Sequence, residues 1–266
     1  MPFRRRALLL DAMAAVAALP LMPRRANARG RVPRRSQHRS RSRPMVMIDP
    51  GHGGKDPGCI GVDGTEEKNI VLALGLQLER ELVASGRFRV AMTRHSDVFI
   101  PLAHRVALAQ QHHAALFISL HANASRDTKA CGACVYRFAY RASDASSAAM
   151  ARWENNADRY GGRAFHQASP TVLRILASLM RRETWIHSAL LQKSIVTDLQ
   201  RCMRPRPVSE DHARFVVLSA PDIPSVLIES GFLTNPAEAK LLRNPHHRLR
   251  MAQEIRSGAE HYLARL

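Results

Sequence analysis

The chain has 266 residues, 45% of them apolar, which is enough to bury a substantial core and excludes general disorder. Its net charge of +18 is concentrated at the start: residues 1–44 hold twelve arginines against one acid, Asp11, and the other 222 residues carry 28 basic and 21 acidic side chains. Aromatics are 5% and no nucleic-acid-binding motif is present, so base stacking finds no support, and four cysteines are too few for a disulfide-built fold of this length.

The first elements are those of an export signal. Arg4, Arg5 and Arg6 precede the apolar run "ALLLDAMAAVAALPLM", and "ANA" (26–28) supplies the small-x-small pattern of a signal-peptidase site. Residues 1–28 therefore read as a signal peptide, with the consecutive arginines pointing toward twin-arginine export. The run is too short and too interrupted for a stable membrane anchor. Residues 29–44 read as a basic, low-complexity linker, and 45–266 as the folded domain.

From Met45 the chain alternates between short apolar runs and amphipathic stretches. "MVMI" (45–48) reads as a buried strand ended by Asp-Pro-Gly. In the following helix Ile70, Leu74, Leu78 and Leu82 form one stripe, stopped at Gly86. "RFRVAMT" (87–93) alternates as a strand does. "PLAHRVALAQQHHA" (101–114) begins a helix with proline, and "ALFISL" (115–120) and "ACVYRF" (133–138) are further strands. A long helical region is expected over 171–203, then strands at "RFVVLS" (214–219) and "SVLIES" (225–230). Asn235-Pro236 and Asn244-Pro245 each open a terminal helix. This order implies an α/β sheet covered on both faces. Cys131 and Cys134 read as small residues at a strand start, and Cys59 and Cys202 as isolated buried thiols.

Active residues in such sheets gather where strands end. His52 follows "MVMI", His121 ends "ALFISL", and Glu229 ends "SVLI", while Glu67 opens the first helix beside Glu66. Each has an ordinary reading alone: a hydrogen-bonded strand-end histidine, or a glutamate facing a helix dipole. Together they resemble a catalytic zinc site, in which two histidines and one carboxylate bind the metal and a second carboxylate takes a proton from water.

Four blocks sharpen this. "DPGHGGKDPGCIGVDGTEEKNIVLALGLQLERELVASG", "MTRHSDVFIPLAHRVALAQ", "ALFISLHANAS" and "LSAPDIPSVLIESGFLTNPAEAKLL" resemble, in order, the zinc-dependent N-acetylmuramoyl-L-alanine amidases of bacterial cell walls. The resemblance implies a single α/β domain with a twisted, mostly parallel six-stranded sheet flanked by helices. It implies one Zn²⁺ held by His52, Glu67 and His121, with Glu229 catalytic, and peptidoglycan as substrate. Glu67 rather than Glu66 is the matching ligand, because Lys68 follows it. Cys59 stands where the family usually has alanine, and "HAN" replaces "HAD". Arg94 and Arg105 match family positions and are expected to be structural or surface ion-pairing residues.

Residues 139–212 are too long for a simple connection. "SDASSAAMARWENNADRYGG" opens like a helix, with Ser143 or Asp144 as cap. It resembles the helical insertion of division-associated family members, which lies over the metal until a protein activator displaces it. By that resemblance Glu154 would occupy the open metal position at rest, the chain would act in the periplasm, and no nucleic-acid partner is expected. Two other readings stay open: a zinc hydrolase of the same fold acting on a different amide, and a wall-binding or regulatory protein without turnover.

Overall fold

The computed structural model describes residues 43–161 and 182–266, which fall within one compact unit spanning 42–266. The expected signal peptide, most of the linker and residues 171–181 of the expected long helix lie outside the described residues.

Six strands form one sheet: β1 (Met45–Pro50), β2 (Arg89–Met92), β3 (Leu116–Asn123), β4 (Ala133–Phe138), β5 (Val208–Ala213) and β6 (Ser225–Phe232). Their order across the sheet is β2-β1-β3-β6-β4-β5. Every pairing is parallel except β4 with β6. β1 and β3 are buried along their whole length, which is why they read as continuous apolar runs.

The helices are α1 (Glu67–Ala84), α2 (Leu102–Gln111), α3 (Ala145–Asn155), α4 (Arg182–Met203), α5 (Pro236–Arg243) and α6 (Pro245–Leu263). One core layer packs the stripe Ile70, Leu74, Leu78 and Leu82 of α1 with residues of α4, α6 and one face of the sheet. The second lies under α2 and includes Met47, Phe117, Leu227, Phe215 and Leu218. Burying each such aliphatic side chain contributes about 1.5–3 kcal/mol, so α1's stripe alone anchors it firmly. Asn235 and Asn244 cap α5 and α6 with their side chains, as the Asn-Pro pairs imply.

One strand is displaced from its expected place. Residues 214–219 are not a strand: Val216–Leu218 form a single 3-10 turn, and the strand is the preceding "VSEDHA". β5 is an edge, paired only with β4 and half exposed, so it needs no apolar run. The apolar residues Phe215, Val217 and Leu218 are buried without belonging to the sheet. Cys59 and Cys202 are buried, as expected, and all four cysteines are free thiols.

Candidate metal and catalytic site

The expected site residues meet at the carboxyl ends of β1, β3 and β6. His121 and Glu229 do not end their strands but lie within them, directly opposite one another in the β3–β6 register. His52 sits two residues beyond β1, with φ +58°, a conformation rare for a side-chain-bearing residue. That backbone swings the imidazole back over the sheet's end. Gly51 beside it lies against the His121 ring, and any side chain there would collide with it.

Glu67 Oε1 lies 3.0 Å from His52 Nε2 and 3.2 Å from His121 Nδ1. Its carboxylate is also fixed by the main chain, accepting from Ala122 N at 2.9 Å and from Cys59 N at 2.8 Å. Glu154, from α3, completes the cluster: Oε2 is 3.1 Å from His121 Nδ1 and 3.5 Å from His52 Nε2. One ligand atom from each of His52, Glu67, His121 and Glu154 lies within 4.8 Å of the others, and all four residues are buried. Glu66 stays on the surface, bonded to Asn69 and facing Lys68.

The donor set fits a metal such as zinc. Imidazole and carboxylate are ordinary zinc ligands, and buried His52 Nε2 faces the Glu67 and Glu154 carboxylates without a well-aligned hydrogen bond to either. The other ring nitrogen, Nδ1, pairs with Asp56 Oδ2 at 2.8 Å, which fixes the ring's orientation. Burial opposes charge on His52, but Glu67, Glu154 and the Asp56 bond outweigh it and raise its pKa to about 10. Burial likewise opposes the Glu67 charge, and His52 and His121 overcome it to hold that carboxyl below the usual range.

Glu229 behaves in the opposite way. It is 1% exposed, and neither oxygen has a hydrogen-bond partner among the described residues. Burial pushes its carboxyl well above the usual range; His121 opposes the shift, while Glu154 and Glu67 add to it. Two carboxylates in one site, one stabilised as the anion and one favouring the proton, are suited to separate roles.

Beneath the cluster, two arginines hold the His52 loop by its carbonyls. Arg105 donates to Pro50 O and His52 O at 2.8 and 2.7 Å and pairs with Asp49 at 2.8 Å. Arg94 donates to Pro50 O, Gly51 O and Lys68 O. Both are 2% exposed, so the structural expectation for them stands and the surface one does not. Asp49 also accepts from Thr93 and Ser119.

Asp144, one of the two expected caps, accepts from Ser147 N to start α3. The helix buries only Ser147, Ala151 and Glu154. At its end Asn155 donates to Arg214 O at 2.7 Å and accepts from Val216 N at 2.8 Å. Asp158, in the 3-10 turn Asn156–Gly161, accepts from Leu102 N at 2.9 Å. Beside α3 a cavity of about 540 Å³, of small-ligand size, reaches the cluster between Asn123, Cys59 and Glu67 on one side and Met150, Trp153 and Glu154 on the other. No described helix is long and apolar enough to cross a membrane.

Fold and site together define an α/β protein of the hydrolase type with a buried centre able to hold one metal ion. Residues 46–261 match the family model described as N-acetylmuramoyl-L-alanine amidase, and the chain belongs to that family. It is 38% identical over 237 residues to the amidase AmiC of Neisseria meningitidis serogroup B, covering 89% of this chain and 56% of that protein. Against AmiA of Escherichia coli K12 the identity is 35% over 225 residues, covering 84% and 78% respectively. Among solved structures it resembles the CwlD amidase of Clostridioides difficile, described in complex with the GerS lipoprotein. There the TM-score is 0.62 at 26% identity, over 84% of this chain and all of that one. AmiC2 of Nostoc punctiforme shares the fold with a TM-score of 0.61 at 24% identity, over 84% of this chain and 98% of that one.

Sequence reasoning missed Asp56, Asn155 and Asp158. It named Arg105 without its depth, although the signal was visible: the arginine falls on the helix stripe of Leu102 and Ala109.

Proposed function

We propose that this chain is an exported, zinc-dependent N-acetylmuramoyl-L-alanine amidase that cleaves the amide between the lactyl group of N-acetylmuramic acid and L-alanine in peptidoglycan. The observation that carries the reading is the pairing of His121 with Glu229 on adjacent strands, which sets a buried carboxyl, without a hydrogen-bond partner among the described residues, beside the two-histidine, one-carboxylate ligand set.

His52, Glu67 and His121 would hold one Zn²⁺, which when bound supplies Lewis acidity toward the scissile carbonyl and activates water at neutral pH. Glu229 takes the proton of the attacking water and delivers it to the departing amine of L-alanine. Asp56 orients His52, and Arg105 and Arg94 hold the loop that carries it.

In the resting chain Glu154 fills the fourth ligand position and α3 covers the site, so a protein activator that lifts α3 would expose it. Residues 139–212 contain this regulatory helical insertion, with α3 as the part that covers the site, within a catalytic domain spanning 45–266. Residues 1–28 act as the signal peptide and 29–44 as a basic linker, placing the enzyme in the periplasm for wall remodelling and daughter-cell separation.

The test is to incubate the purified mature chain with muropeptides, first with zinc and then with a chelator, and to identify the products by mass. Free stem peptides beginning with L-alanine are expected with zinc only. Their absence both from the full chain and from a chain lacking α3 overturns the reading.

A further inference from the structure

Glu229 has no hydrogen-bond partner on either side-chain oxygen among the described residues, so its aim depends on its main chain and packing rather than on a polar tether. How that main chain is held is set by the residues immediately after it. β3 and β6 pair in register up to His121 opposite Glu229 and resume with Asn123 opposite Phe232. Two residues of β6, Ser230 and Gly231, thus face one residue of β3, Ala122. Such a bulge disrupts the local ladder, bends the strand and re-aims neighbouring side chains. Gly231 takes φ +145°, which a residue with a side chain rarely adopts.

The bulge is secured on both sides. Ser230, 1% exposed, donates its hydroxyl to His121 O at 2.7 Å. Beyond it, Glu238 of α5 accepts from Phe232 N and from Gly132 N, each at 2.8 Å. The Ser230 bond joins the residue after the proton-handling carboxyl to the main chain of a metal-binding histidine on the next strand.

We propose that Ser230 is a positioning residue whose hydroxyl fixes the bulge, and with it the offset between the His121 imidazole and the Glu229 carboxyl. This rests on the amidase reading for what the offset accomplishes. Without the hydroxyl the His121 carbonyl loses a buried donor, and the bulge is freer to relax at the one place where both functional side chains depend on it.

The experiment uses the full chain carrying Glu154→Ala as parent, with Ser230→Ala and Ser230→Thr made in it. Zinc affinity is read by competition with a chromophoric chelator, kcat and KM from stem-peptide release, and folding from the melting temperature. Partners of metal ligands are worth about 10–100-fold in affinity or activity, so Ser230→Ala is expected to lower kcat by at least about tenfold with KM little changed. Zinc affinity should weaken by a smaller factor, and Ser230→Thr, which keeps a hydroxyl, should recover both. The proposal is overturned if Ser230→Ala matches its parent in kcat and zinc affinity. It is equally overturned if the losses follow the melting temperature and threonine recovers none of them. A parent that binds zinc but releases no stem peptide, with a chain lacking α3 equally silent, refutes the amidase reading alone, and the zinc affinities of the two variants then decide the role of Ser230.

Discussion

The carboxylate of Glu154 lies 3.1 Å from Nδ1 of His121, inside the space a metal ion and its open position would share. It arrives there on a helix held at its C-terminal end by Asn155 and Asp158 rather than by a broad apolar face. If Glu154 blocks the site, Glu154→Ala should raise stem-peptide release without any activator, by about tenfold for each 1.4 kcal/mol of blocking energy removed. Unchanged basal hydrolysis in that variant would remove Glu154 from the scheme.

The ligands and the proton carrier should separate cleanly. His52→Ala should lose both zinc and activity, because the proposed scheme makes it a direct ligand. Glu229→Gln should keep stoichiometric zinc by elemental analysis and lose about 10²–10⁴-fold in kcat, the usual contribution of a positioned acid–base group. A Glu229→Gln chain that lost its zinc would make Glu229 a ligand instead.

Asp56 touches the site only through the far nitrogen of His52. Asp56→Asn should therefore weaken zinc binding by about 10–100-fold while leaving the fold intact. In the metal-free chain His52 carries its proton up to about pH 10, and a ligand imidazole must be neutral, so zinc uptake at pH 7 should release protons and tighten as pH rises. Calorimetry in buffers of different ionisation enthalpy reads the proton count directly.

The Asp49–Arg105 pair predicts a stability change, beside any effect on the site through the His52 carbonyl that Arg105 also holds. Arg105→Met leaves Asp49 buried without its cation and should cost about 3–5 kcal/mol, visible as a lower denaturation midpoint. Burial opposes charge on Asp49, yet Arg105, Thr93 and Ser119 hold its pKa below the usual value. A depressed carboxyl pKa stabilises the fold above the unfolded-state value of about 3.9 and ceases to do so as pH falls through the folded value. Melting temperature should therefore drop below about pH 4 in the native chain and vary less there in Asp49→Asn.

The two fully buried strands β1 and β3, the α1 stripe and both Asn-Pro caps were legible because burial on both faces, helical period and capping each leave a local pattern. His52, Glu67, His121 and Glu229 were legible as polar residues set against apolar runs, and the family blocks assigned each a role. β5 was not legible, since an edge strand half in water needs no alternation, while Phe215, Val217 and Leu218 imitate a strand and fold as a turn. Asp56, Asn155 and Asp158 work through one or two bonds each, to a ring nitrogen or to main-chain groups. Such bonds follow from where the chain passes in space, and sequence spacing carries no trace of them.

The small buried face of α3 has a further consequence. Its fully buried residues, Ser147, Ala151 and Glu154, include one alanine as the sole apolar member, and Trp153 beside them is 52% exposed. Under the proposed scheme, lifting such a helix would remove little apolar burial from either core layer. Opening would then be a local event, opposed mainly by the Glu154, Asn155 and Asp158 contacts rather than by the packing of the sheet.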